Sequence, residues 1–351
     1  MTAVGAVTAV GRPERDRRLR PVPWRRMAWV TWRQHRVAIG ALTAFLGALA
    51  LYVWYAGLQL RHAYDAATTC NPASSTCGAL ITDFNFANHF LVGGYMLQVV
   101  PAVIGAFIGA PLLARELETG TFRYVWTQGF GRWRWTVAKL VALGLAVTAA
   151  AGALSVLFSW YYQPYLAPGN QALSLSQESV LAPAIFDLRG VTFAAWTLTA
   201  FAIGALAGML IRRVVPAIAA TLAVYAGLAL VAANILRQPY LSPLLTRSPN
   251  VPGSAWIMGQ WWTQGGKFAF SGTPSTSLVQ QLCPNLTFGP LGKPSQGTVL
   301  QCLARHDYTQ WTRYEPASRF WPFQWIEGGW LLVLSTMLIV VTIWLVRRHA
   351  V

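Results

Sequence analysis

Arg115-Glu116-Leu117-Glu118-Thr119-Gly120-Thr121, followed by Trp126-Thr127-Gln128, Arg132-Trp133-Arg134-Trp135 and Lys139, is a charged, aromatic stretch between two apolar runs, Phe90–Leu113 and Val137–Trp160. Roughly 20 apolar residues cross a bilayer, so both runs read as spans. The stretch is then a short connection, 114–136, held at one membrane face. Arg115, Arg123, Arg132, Arg134 and Lys139 outnumber Glu116 and Glu118, and such an excess of Lys and Arg marks the cytoplasmic side. A membrane protein that holds a structured, charged loop there presents it to something in the cytoplasm.

Working outward, the chain reads as an all-α polytopic membrane protein with six transmembrane helices. The expected spans are Val37–Leu58, Phe90–Leu113, Val137–Trp160, Val191–Ile211, Val214–Leu236 and Ile326–Val346. Composition agrees: 55% of the 351 residues are hydrophobic and 11% are charged, against about 25% charged in soluble domains. The chain divides into a basic tail with an amphipathic helix (1–36), spans one to five (37–236), a large outer segment (237–325), and span six with a short tail (326–351).

The net charge of +16 raises nucleic acid as a partner, but its distribution argues for topology instead. Nine arginines from Arg12 to Arg36 precede span one, Arg212 and Arg213 fill the turn between spans four and five, and Arg347 and Arg348 follow span six. The alternate short connections carry little beyond Arg61 and Arg189. Both termini and loop 114–136 are therefore expected in the cytoplasm. The surplus charge suits anionic inner-leaflet lipids, and no nucleic-acid partner is expected.

The cysteines test this topology independently. Cys70 and Cys77 fall between spans one and two, and Cys283 and Cys302 between spans five and six. All lie on the expected outer side, where disulfides persist. Four cysteines allow three pairings; short separation favours 70–77 and 283–302, the alternative being free thiols in loops. The spacing does not suit a metal, and none is expected.

Pro23–Arg36 has apolar residues at helical spacing among arginines, with Trp24, Trp29 and Trp32, and is expected to lie in the interface as an amphipathic helix. No secretory signal is expected, because the basic region is long and span one exceeds an h-region. Within loop 114–136, Phe122, Val125 or Trp126, and Phe130 fall near helical spacing, predicting a short helix over Thr121–Gln128. The segment Arg237–Trp325 is rich in Gly, Pro and Ser, yet carries many aromatics. Those aromatics predict an ordered lid on the membrane surface, which Cys283–Cys302 would staple.

No Walker A loop is present: Gly265-Gly266-Lys267 runs into Phe268 and lacks the upstream glycine. The histidines are scattered. Asp65, Asp83, His62 and His89 could meet near the outer ends of spans one and two, as in a membrane enzyme, but such residues equally make a solvated rim. Ion-coupled transport normally needs ionisable groups inside the membrane. The expected spans offer only uncharged polar groups, with Glu327 near one end of the last. A transporter without its own motor, but with a docking loop, points to a separate ATPase.

The 115–123 run, with Trp126-Thr127-Gln128, Arg132-Trp133-Arg134-Trp135 and Lys139, resembles the cytoplasmic loop of ABC-2 type transporter permeases, above all their actinobacterial branch. Thr31-Trp32-Arg33-Gln34-His35-Arg36 before span one resembles the same branch, as does Arg319-Phe320-Trp321-Pro322-Phe323-Gln324-Trp325-Ile326-Glu327 entering span six. The resemblance implies the ABC-2 type exporter fold, in the bacterial inner membrane. It implies two ABC ATPase subunits as partners, holding the ATP and Mg, and a second permease copy, as a homodimer. No cofactor is expected in this chain. Pro23–Arg36 would be the connecting helix and Thr121–Gln128 the coupling helix. Arg115, Glu116, Glu118, Gly120, Thr121, Phe122, Trp126 and Arg132 would couple to the ATPase. Glu116 and Glu118 would pair either with motor arginines or with Arg115 and Arg123.

The resemblance also implies that spans two and five line the pathway. Gln98, Ala102, Gly105 and Gly109 form a small-residue stripe on span two, and Ala217, Thr221 and Tyr225 a comparable one on span five. Tyr95, Gln98, Gly105, Thr221, Tyr225 and Asn234 are the expected lining positions, unless these faces only pack helices within one subunit. Pro101 and Pro111 are expected to kink span two. The implied activity is export of a hydrophobic or amphipathic compound; the alternative is a non-transporting sensor or resistance subunit coupled to an ABC ATPase.

Overall fold

A computed structural model describes residues 24–70, 76–82, 94–120, 132–166, 179–247, 251, 254–284 and 296–349. Six helices in it are long and apolar enough to cross a membrane: Gly40–Thr69, Leu97–Glu118, Arg134–Pro164, Thr192–Ile211, Val214–Leu236 and Ala317–Arg348. They match the expected spans in number and order. Spans one, three and six are longer than expected, and span two runs on to Glu118, so Glu116 and Glu118, read as flanks, fall on its helix, where Glu116 faces Lys139 on that of span three.

Span one is the C-terminal part of one unbroken helix, Trp24–Thr69. The expected connecting helix, Pro23–Arg36, is thus continuous with the span in its backbone rather than a separate helix turned into the interface. No Pro or Gly interrupts 24–39, so nothing in the sequence stops the helix there.

Spans two and four form the centre of the bundle: 72% of the apolar window of span two and 67% of that of span four is buried, against 17% for spans one and five. Their contact is glycine-mediated. A Cβ added to Gly105, Gly109, Gly204 or Gly208 would fall closer than 3.0 Å to backbone atoms of the facing helix. The absence of side chains lets the two backbones touch, the usual device for helix association without a hydrophobic drive. Span two is not a plain α-helix. Gly94–Ile104 and Ala110–Glu118 are joined by a π-helical turn, Gly105–Gly109. Span five ends in another, Ala232–Leu236. Such turns are rare and concentrate at functional sites.

Spans one, five and six keep many large apolar side chains exposed, including Leu51, Trp54, Val215, Val224, Leu230, Val333 and Val340. That exposure is the expected state of a surface facing lipid or another subunit.

The described residues of the segment before span six are folded, as its aromatics predict, but their core is a sheet that helical patterning did not reveal. β1 (Leu244–Thr246), β2 (Trp256–Gln264), β3 (Lys267–Ser271) and β4 (Tyr308–Glu315) form an antiparallel sheet in the order β1-β4-β2-β3. β2 and β3 are joined by Gly265-Gly266, both at positive φ, as a tight hairpin turn requires. Between β3 and β4 lie helices Thr276–Leu282 and Gln296–Arg305, linked by the Cys283–Cys302 disulfide; Cys70–Cys77 is also bonded. Because spans alternate, both disulfides lie on one side of the bundle and loop 114–136 on the other. The lid is fixed to the bundle by Val180, Leu181, Phe186, Phe320 and Phe323, against which Tyr240, Leu241 and Trp256 pack.

Candidate functional site

Two places in the bundle bring polar chemistry together. The first is the root of loop 114–136. Span two ends as Thr119 N–H donates to the Arg115 carbonyl (3.0 Å), and Gly120 then turns the chain at φ 68°. This left-handed position just past a helix end suits glycine. Glu116 accepts a hydrogen bond and an ion pair from Lys139 of span three. Lys139 is 1% exposed and Glu116 13%, and the ammonium also lies 4.8 Å from the Trp135 ring. Glu118 accepts from the backbone N–H of Val214 at 3.0 Å. Val214 is the first residue of the span-five helix, where free N–H groups and the helix dipole favour a carboxylate.

Each glutamate therefore has a partner inside the subunit. Neither of these partners is Arg115, one of the two local arginines expected from sequence; the other, Arg123, lies outside the described residues. Glu116 ties the loop root to span three, and Glu118 ties it to span five. Arg115 is exposed. Thr121, Phe122 and Trp126, with the whole expected helix Thr121–Gln128, lie outside the described residues, as does the side chain of Arg132, whose backbone begins the span-three helix.

The second place lies on the opposite, disulfide-bearing side. Arg237, directly after span five, is 1% exposed and pairs with Asp187 and Glu327. Its Nε donates to Glu327 Oε2 at 3.0 Å and Nη2 to Glu327 Oε1 at 2.8 Å, a bidentate arrangement. Trp196 Nε1 donates to the same carboxylate at 3.0 Å, and Tyr240 Oη at 3.3 Å. The Phe186 ring lies 4.4 Å from the guanidinium. Burial alone would lower the Arg237 pKa, but the neighbouring carboxylates outweigh it and hold the pKa above its usual value. Asp187 is pushed up to about 7 by burial, with Arg237 opposing and Glu327 reinforcing the shift. A fifth of its side chain remains accessible.

Asp187 forms part of the wall of a cavity of about 480 Å³ between spans two, four and five. Gln98, Pro101 and Ala102 supply one wall, Phe193 and Trp196 the second, and Leu222, Tyr225 and Ala229 the third. Trp196 meets Tyr225 edge-on at 5.6 Å. The volume falls within the usual range of small-molecule sites, roughly 300–1,000 Å³.

Among the expected pathway residues, the structure brings Gln98 and Tyr225 to this cavity and leaves three others out of it. The Gln98 amide donates to the Pro183 carbonyl at 2.7 Å. Gly105 is buried against span four and packs helices within the subunit, so in this structure it is not a lining position. Thr221 is fully buried and its hydroxyl donates to the Ala217 carbonyl of its own helix. Asn234 is exposed and donates to the Leu230 carbonyl. The Tyr95 side chain lies outside the described residues. The expectation that the spans offer only uncharged polar groups away from their ends is qualified by Glu116, Lys139 and Glu327, which lie on the helices of spans two, three and six, whereas Asp187 and Arg237 lie just outside the spans.

With this geometry in view, residues 43–237, more than half of the chain, match the family model "ABC-2 membrane transporter related". The chain belongs to this ABC-2 family. No curated protein and no solved structure matches it. Membership makes it a multi-pass membrane protein and the permease-type membrane subunit of an ABC system. It also implies association with an ABC ATPase. The matched region contains both the loop root and the cavity. It stops at Arg237, leaving Glu327 and the four-stranded sheet outside it.

Proposed function

We propose that this chain is the transmembrane half of an ATP-driven exporter for a hydrophobic or amphipathic compound, working as a homodimer above two separate ATPase subunits. Loop 114–136 is cytoplasmic, and the disulfide side faces outward. The observation that carries this reading is the wiring of the loop root. Glu116 grips span three and Glu118 grips the first turn of span five. A push on the loop thus reaches two spans through charge-assisted contacts rather than through flexible chain. Span five is also a wall of the cavity, so the same push alters its shape. The π-helical turn of span two, between Pro101 and Pro111, supplies a place where that helix can change register.

The test is co-expression with an ABC ATPase encoded beside this chain. The chain alone should hydrolyse no ATP, and the pair should co-purify. Phe122→Ala with Trp126→Ala should lower complex yield and ATPase rate, because aromatic anchors dominate interfaces. Unchanged yield and rate in the double variant would contradict the docking role of the loop.

A further inference from the structure

The cavity between spans two, four and five has an unusual charge arrangement. Its wall is apolar and aromatic except for Gln98 and Asp187. Gln98 is occupied by the Pro183 carbonyl. Asp187 belongs to a buried group with one guanidinium and two carboxylates, Arg237, Asp187 and Glu327. With every member ionised, the group carries one surplus negative charge. Arg237 satisfies Glu327 through a two-point contact, so the surplus falls on Asp187, the member that reaches the cavity.

A buried surplus charge is costly unless it is neutralised. Among the described residues, no Lys, Arg or His stands in the cavity wall. Among the described residues, the other titratable groups facing the cluster are Tyr225 of span five and Tyr240 of the lid, which bring no positive charge. Arg189 is directed elsewhere, over the Phe320 ring at 4.9 Å. Among the described residues no further cation reaches Asp187, which leaves its neutralisation to a proton or to something in the cavity. The Trp196 ring, steered by its hydrogen bond to Glu327, and the Tyr225 ring set edge-on to it present aromatic surface beside the carboxylate. Aromatic faces attract cations, most strongly where water is excluded.

We infer that this cavity binds a hydrophobic organic cation, whose charge is met by Asp187 and whose apolar body lies against Phe193, Trp196, Tyr225 and Leu222. This deepens the exporter reading by naming the substrate class, and rests on it only for the word substrate; binding itself requires no ATPase. The cation competes with a proton for Asp187. The raised pKa of that carboxyl, about 7, places the competition near neutrality. Acidification protonates Asp187 and releases the cation.

The probe is radiolabelled tetraphenylphosphonium, measured by equilibrium binding to the purified full chain in nanodiscs. Triphenylphosphine oxide, with three phenyl groups on the same phosphorus centre and no net charge, serves as the neutral control. Wild type should prefer the cation, and its affinity should fall as pH is lowered from about 8 to about 6. Asp187→Asn should weaken cation binding roughly tenfold or more while leaving the neutral probe unchanged. Asp187→Glu should restore much of the loss. Ala226→Phe, which adds a ring to the span-five wall of the cavity, should weaken both probes. Equal affinity for the two probes, or a folded Asp187→Asn that binds the cation as wild type does, would overturn the inference. If Asp187→Asn does not fold, the wild-type pH series decides, and a flat series overturns it. Absence of binding beside intact ATPase association would remove this inference and leave the exporter reading standing.

Discussion

Removing the Lys139 ammonium tests whether the buried pair at the loop root is structural, mechanical or both. Lys139 is 1% exposed and Glu116 13%, so the pair is desolvated and little screened by salt. An exposed pair would contribute about 0–1 kcal/mol. Taking one partner from a buried pair leaves the other charge unmatched, at a cost of about 3–5 kcal/mol. Lys139→Met and Glu116→Leu should each destabilise the chain by that order. The double variant replaces the pair with apolar side chains of similar volume and should recover most of the loss, since such replacements are often neutral. Recovery of stability should not bring recovery of coupling, because the charge-assisted link between loop and span three is still gone. The assay is thermal unfolding in detergent, beside the ratio of transport to ATP hydrolysis in the assembled complex. Singles that unfold as wild type does would show that the pair is not desolvated as described. A double variant with full transport per ATP would refute its mechanical role.

Other consequences follow from the packing and the cross-links. Gly204→Ala places a Cβ against the Gly105 carbonyl oxygen and the Ala110 backbone, and should destabilise by about 1–3 kcal/mol, as overpacking does; Gly227→Ala, with open space around it, should not, and equal midpoints for the two would contradict the close approach of spans two and four. Non-reducing peptide mapping should recover Cys70–Cys77 and Cys283–Cys302, and Cys283→Ala with Cys302→Ala should loosen the lid by about 3 kcal/mol in the chain-entropy model, read as faster proteolysis of residues 276–305. Thiol labelling from the cytoplasmic side after reduction would reverse the proposed orientation.

The spans were legible because roughly 20 apolar residues in a row have few alternatives, and the basic turns set their order. Their full lengths were not. Lys139 and Glu116 read as flanking charges, and only their pairing across spans two and three lets both enter the buried region. Gly105 illustrates the opposite error: a small residue on a helix stripe suits a pathway wall and a packing seam equally, and the backbone of span four decides between them. Asp187, Arg237 and Glu327 each looked like an ordinary span end. Their complementary signs on one side of the bundle were the available signal, but 140 positions separate the first from the last and only the fold joins them. The sheet was hidden for another reason. β1 and β3 are short, and the pairing of the longer, aromatic β2 is broken by irregularities at Ile257/Gly259 and Trp262/Thr263, so strict alternation is lost.

The central claim is that this chain moves a compound when a separate motor hydrolyses ATP. The most direct measurement is uptake of tetraphenylphosphonium into inside-out proteoliposomes holding the chain and its ATPase. Uptake should require ATP, Mg and both subunits, and should stop when the motor's catalytic glutamate is replaced. ATP hydrolysis that rises with the cation while none of it crosses the membrane, nor any neutral amphiphile tested beside it, would contradict export and leave a membrane sensor in its place.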